Sequence, residues 1–135
     1  MKEVEKKVHI NAPVSKVWQA LTDTTQLAQW LMPNDFVAEV GKEFVFTGNM
    51  GEGPFPINCL IKELIENKKL VYTWRLPEFE GDSEVTIELE GNGETDLTLT
   101  HTGWENIGAL ENDMFEGHKK GWDEKLAKLK EVAEA

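Results

Sequence analysis

The chain has 135 residues, 40% of them hydrophobic and 29% charged, with a formal net charge of −11 and one cysteine. That length fits one domain with a sizeable core, and the lone Cys59 excludes an internal disulfide framework and any multi-cysteine metal site. Phosphate backbones are bound by concentrated Lys and Arg, so an acidic chain whose single arginine is Arg75 excludes a nucleic-acid partner, and an anionic membrane surface is disfavoured on the same Coulomb argument.

The first residues, Met1 to Lys7, alternate charge and hold no apolar run of signal-peptide or membrane-span length, so the expected location is cytoplasmic. Glu3 to Ile10 then sets Val4, Val8 and Ile10 against charged positions, the period-two pattern of a half-buried strand. Asn11-Ala12-Pro13 ends it, and proline suits the first turn of a helix. Val14, Val17, Trp18 and Leu21 follow at helical spacing. Asp23 with Gln26 three residues on has the form of a capping box. It opens a second short helix carrying Leu27, Trp30 and Leu31, which Pro33 ends.

Beyond Pro33 the period changes to two. Phe36 to Val40 and Glu43 to Thr47 read as strands joined by a Gly41-Lys42 hairpin turn. Asn49 to Pro56, with two glycines and two prolines, reads as an exposed loop and a candidate mobile lid. Pro56 to Ile65 and Leu70 to Leu76 flank Asn67-Lys68-Lys69. After a loop over Glu78 to Asp82, Ser83 to Glu90 and Thr95 to Thr102 flank Gly91-Asn92-Gly93-Glu94. The turn spacing is that of an antiparallel meander. A long helix from about Asn112 to Glu134 closes the chain. Acidic residues lie in its first turns and lysines recur toward its end, matching the helix dipole. Phe115, His118, Trp122, Leu126, Leu129 and Ala133 form its apolar stripe, and at about 1.5 Å per residue it spans roughly 30 Å.

Strands and helices in blocks imply an α+β fold with an antiparallel sheet of about seven strands. One sheet face must be covered, and the long helix is the element large enough to do it. Alternation places Phe44, Phe46, Tyr72, Trp74, Val85, Ile87, Leu97, Leu99 and His101 on the inner face. Ile57, Cys59 and Ile61 are assigned there too, against Leu60 and Leu64 on the other face. Phe115, His118 and Trp122 oppose them from the helix, with Trp30 and Phe36 near the entrance. Each residue alone fits a packed core. Taken together, such bulky rings between a curved sheet and a straight helix suit a cavity for an apolar ligand with one polar end.

His101 and His118 are the inward candidates for proton transfer, or else hydrogen-bonded residues of the pocket wall. A metal would need a third ligand beside them, and Cys59 is the available one. Its apolar setting reads instead as core packing, where burial raises a thiol pKa. His9 is expected to be solvated. Gly117 and Gly121, four apart on the long helix, fit either a close approach of that helix to its neighbours or room for a ligand. No catalytic residue, metal or cofactor is assigned.

The run Ile10-Asn11-Ala12-Pro13 with Val17-Trp18 and Leu21-Thr22-Asp23, then Trp30, Gly41 and Phe44, carries a resemblance. Leu70-Val71-Tyr72-Thr73-Trp74, Thr95, Leu97-Thr98-Leu99-Thr100-His101 and Gly121-Trp122 complete it. In order and spacing, over nearly all of its length, the chain resembles the helix-grip superfamily of START-like and birch-pollen-allergen-like domains. More narrowly it is similar to homologues of the heat-shock protein 90 ATPase activator. The resemblance implies a curved antiparallel sheet gripping the C-terminal helix, two short helices after the first strand, and a cavity for apolar ligands between sheet and helix. The expectation is a single domain, 1–135, acting as a monomer that binds a lipid, polyketide or aromatic metabolite. A chaperone-directed interaction module and a helix-grip cyclase or hydrolase using a pocket histidine are the alternatives.

Overall fold

The computed structural model describes residues 3–49, 53–76, 81–91, 93–106 and 111–135. The strands are β1 (Val4–Ile10), β2 (Glu43–Asn49), β3 (Pro54–Ile65), β4 (Lys69–Trp74), β5 (Ser83–Gly91) and β6 (Thr95–Thr102). The helices are α1 (Val14–Thr22), α2 (Thr24–Trp30) and α3 (Glu111–Glu134), with a single 3-10 turn over Trp104–Asn106. All six strands join one antiparallel sheet in the order β1-β6-β5-β4-β3-β2. The first strand thus closes against the last. A register shift between Ile61 and Glu63 puts a bulge in β3, a feature that bends a sheet. Among the described residues no helix is long and apolar enough to cross a membrane.

The two short helices start and stop as their sequence dictates. Pro13 precedes α1, and its carbonyl accepts from Lys16 and Val17 N–H. The Asp23 carboxylate accepts from Gln26 N–H at 3.0 Å and caps α2, satisfying a donor that the helix itself leaves open.

Phe36 to Val40 does not form the expected strand, and this makes the sheet six-stranded. The side chains of Asn34 and Asp35 accept from Phe36 and Val45 N–H, at 3.0 and 2.7 Å. Local Asn and Asp bonds of this kind compete with a ladder. Val37 and Val40 point into solvent, while Phe36 is buried. The turn at Gly41 survives, with φ of +87°, but it leads from coil into β2. The expected loop from Asn49 to Pro56 is also shorter. Gly48 pairs with Phe55 and Asn49 with Pro54, so Pro54 and Pro56 lie within β3. The β3–β4 pairs run from Ile61 to Ile65, clear of both prolines, which is where a ring without an N–H is tolerated. Residues 50–52 of the proposed lid, and residues 77–80 of the loop before β5, lie outside the described residues.

The helix α3 runs alongside β1 in the same direction. Lys6 pairs with Asp123 at 3.0 Å, Lys130 Nζ donates to the His9 carbonyl, and Asn11 N–H donates to the Glu134 carboxylate. Five strand residues at about 3.3 Å and eleven helical residues at about 1.5 Å both span about 17 Å, so the two elements stay in step. The helix shares the inner face with α1, α2 and the 3-10 turn, whose Trp104 is fully buried. It is therefore not the sole cover that its length suggests.

Candidate functional site

Cross-strand register assembles the inner face in rows. Val4, His101, Val85, Tyr72 and Ile61 are successive partners across β1, β6, β5, β4 and β3. Ile87 and Leu99 pair in the next row, with Leu70 beside Ile87, and Phe44 faces Cys59 as Phe46 faces Ile57. All of these side chains are buried. The rings form one continuous chain. Phe36 meets Phe44 at 4.9 Å, Phe44 meets Tyr72 at 5.3 Å, and Phe46 meets Trp74 at 5.5 Å. Trp74 then meets Trp122 of α3 at 5.6 Å and His118 at 6.0 Å, and Phe115 stands edge-on to Trp104 at 5.9 Å. Trp30 stands apart from this chain. It is buried, and its indole N–H donates to the Ala20 carbonyl at 2.8 Å, which holds α2 to α1.

Around His101 the rings are joined by hydrogen bonds whose directions follow from donor chemistry. An indole N–H can only donate. Trp122 Nε1 lies 3.0 Å from His101 Nδ1, so Nδ1 is the acceptor and the neutral ring carries its proton on Nε2. That proton is donated to Ser83 Oγ at 2.7 Å, and the serine hydroxyl donates on to the Trp74 carbonyl at 3.1 Å. Trp104 N–H donates to the His101 carbonyl at 2.9 Å. Trp74 N–H donates to His118 Nε2 at 3.2 Å, which leaves the proton of neutral His118 on Nδ1. Burial, with His118 nearby, holds the His101 pKa well below its ordinary value. Protonating Nδ1 would set two N–H groups against each other. His101 is therefore a bonded wall of the inner face, with no free lone pair for a general base.

Burial likewise pushes the Cys59 thiol up, and its Sγ–H is directed at the Ile57 carbonyl. No three His, Cys, Asp or Glu side chains among the described residues stand together as a metal site. His9 lies outside the cluster, exposed, with its ring nitrogens 2.8 Å from Asp96 and Glu94 carboxylates.

Tyr72 differs from its neighbours. Every fully buried side-chain nitrogen or oxygen among the described residues has a hydrogen-bond partner. The Tyr72 hydroxyl has none among them, although the residue is only 2% exposed. That small exposure is all the contact its oxygen can have with a water-sized space. An unmet hydroxyl sealed in apolar surroundings would be strongly unfavourable.

The sequence profile described as "Activator of Hsp90 ATPase homolog 1-like protein" matches residues 11–134. The chain belongs to this family. Within the helix-grip superfamily, this member of the activator-homologue family has well-matched structural neighbours. A Bacillus halodurans protein solved in solution is 30% identical, with 99% of this chain and 98% of that one covered and a TM-score of 0.80. A Mesorhizobium loti protein solved by crystallography is 29% identical, with 97% and 96% covered and a TM-score of 0.84. A putative protein of the dynemicin biosynthetic locus shares the fold at 22% identity and a TM-score of 0.81, and this chain covers 48% of it. Comparison with curated proteins gives no match.

Two members of the cluster in this activator-homologue domain, Ser83 and Trp104, escape a reading by alternation. Ser83 is the first residue of β5, facing inward with Val85 but polar. Trp104 lies beyond the strand, after Gly103, whose φ of +85° turns the chain so that the indole can reach back. A Cβ at that glycine would also lie 3.2 Å from Ser83 Cα. The one visible signal is a Gly-Trp pair one residue beyond an inward histidine. The glycines of α3 are not explained by close approach, because a Cβ at Gly117 or Gly121 would meet nothing within 4 Å among the described residues.

Proposed function

We propose that the protein binds an apolar small molecule, a lipid, polyketide or aromatic metabolite, between the sheet and α3. The observation that carries the reading is the Tyr72 hydroxyl, buried and unpartnered among the described residues, within a continuous chain of rings. Pockets for small molecules combine apolar walls with a few placed polar groups. Here Phe44, Phe46, Tyr72 and Trp74 supply the sheet wall, and Phe115, His118 and Trp122 the helix wall. Membership of a helix-grip family supports the same reading. The buried Cys59 offers no accessible thiol to link two copies covalently, and we take the chain to act as a monomer in the cytoplasm.

The test is a titration of apolar lipids and aromatic compounds, followed through the indole N–H and inner-face methyl resonances. Binding is expected to shift Trp74, Trp122, Ile87 and Leu99 while leaving outer-face Thr86 and Thr100 in place. If a broad library moves none of the inner-face resonances, the reading fails.

A further inference from the structure

The ligand reading above can be taken further, because the lysines and the arginine of this chain lie at its surface. Every lysine among the described residues, and Arg75, is exposed or half-buried. Arg75 pairs with Asp82, Lys62 with Glu84 and Lys6 with Asp123. The half-buried Lys125 reaches the Leu31 carbonyl at the end of α2. Lys119 Nζ lies 6.0 Å from the centre of the Phe115 ring but is exposed, and no lysine or arginine among the described residues is buried with the ring chain. The inner polar hydrogens are spoken for as well. The indoles of Trp74, Trp104 and Trp122, the His101 ring, the Ser83 hydroxyl and the Cys59 thiol all donate within the protein. Of these groups and Tyr72, only the Tyr72 O–H is left for an occupant.

We infer that the occupant is an uncharged molecule whose carbonyl or hydroxyl oxygen meets the Tyr72 hydroxyl, and that the carboxylate of the same skeleton is rejected. The inference rests on the proposed binding role. A carboxylate drawn into this interior loses its water and meets no lysine or arginine of the described residues, and one phenolic hydrogen bond does not offset that loss. A carboxylate left at the surface meets a chain of net charge −11. Burial holds Tyr72 in its protonated form and His101 in its neutral form, so neither supplies a counter-charge near neutral pH.

The experiment uses the full chain and matched probes at near-neutral pH, with affinities from calorimetry. One set is ethylnaphthalene, acetylnaphthalene and naphthoate; the other is a long-chain methyl ketone and the fatty acid of equal length. In at least one set the neutral ketone is expected to bind about thirtyfold or more tighter than the acid, the scale of an unpaired charge against a bonded neutral group. Tyr72→Phe is expected to weaken ketone binding about tenfold, the loss of one hydrogen bond, and to leave ethylnaphthalene unchanged. Acids binding as tightly as ketones would overturn the inference and leave the binding role standing. So would a Tyr72→Phe protein that folds and binds the ketone undiminished. Should that variant not fold, the comparison of ketone with acid on the natural chain still decides. Failure of every probe in both sets overturns the binding role itself, and the inference with it.

Discussion

His101 shows how much one buried side chain can organise. It accepts a hydrogen bond from Trp122, donates one to Ser83, and offers its carbonyl to Trp104. Its inward orientation was legible in the alternation Leu97, Leu99, His101. Its partners were not, because Ser83 and Trp122 lie 18 and 21 residues away and meet it only through strand register and the placement of α3. The network makes a pH prediction with a definite sign. Burial lowers the folded-state pKa of His101 below the ordinary 6.5. The unfolded chain therefore takes up the proton first as pH falls. The contribution of neutral His101 is complete above 6.5 and is lost below it, by up to about 1.4 kcal/mol per pH unit for one proton. His9 acts the other way. Bonds to Asp96 and then Glu94 raise its pKa, so its smaller, solvent-screened contribution is present below 6.5 and lost as pH rises through its folded value. Comparing natural protein with His101→Gln cancels His9 and the carboxylates, which both proteins share. Urea unfolding between about pH 7.5 and about pH 5.5 is expected to show a steeper loss of stability in the natural protein. Parallel losses in the two would mean that His101 takes up its proton at the same pH folded as unfolded.

At the level of elements, periodicity was reliable where the backbone had no competing partner. In β4, β5 and β6 the alternation sorted Tyr72, Trp74, Ile87 and Leu99 inward, and each is buried. It misled at Phe36 to Val40. There the same alternation is present, but Asn34 and Asp35 take the backbone N–H groups that a ladder would need. It also misled at Pro54 and Pro56, where residue type argued for a loop and a one-sided pairing made a strand acceptable. The glycines of α3 are the third case. Spacing suggested a close contact, which is a property of the neighbour and not of the helix. Since an added Cβ meets open space at both sites, only the backbone entropy of glycine remains to be counted. Gly117→Ala and Gly121→Ala are each expected to stabilise the protein by about 0.5–1 kcal/mol, read from urea or thermal unfolding. A loss of stability in either variant would show that the helix packs more closely there than the fold allows.

For the molecule as a whole, opposing electrostatic effects are separated by their range. The ion pairs that tie α3 to β1, and β3 to β5, hold their charges about 3 Å apart. The excess of eleven negative charges instead acts across the full width of the domain. Raising monovalent salt from about 0.01 M to about 0.15 M shortens the screening length from about 30 Å to about 8 Å. The short pairs stay inside that length, and exposed pairs contribute at most about 1 kcal/mol each in any case. The long-range repulsion falls outside it. Self-repulsion destabilises a compact state more than an expanded one, so the thermal midpoint is expected to rise over this salt range in a scanning calorimeter. A fall would mean that the surface pairs between α3 and β1 outweigh the net charge. The same separation bears on ligand choice. Salt screens the repulsion of an approaching carboxylate but leaves its dehydration inside the fold untouched. The preference for a neutral probe is therefore expected to narrow with salt without disappearing, and the part that persists at about 0.15 M measures the interior alone.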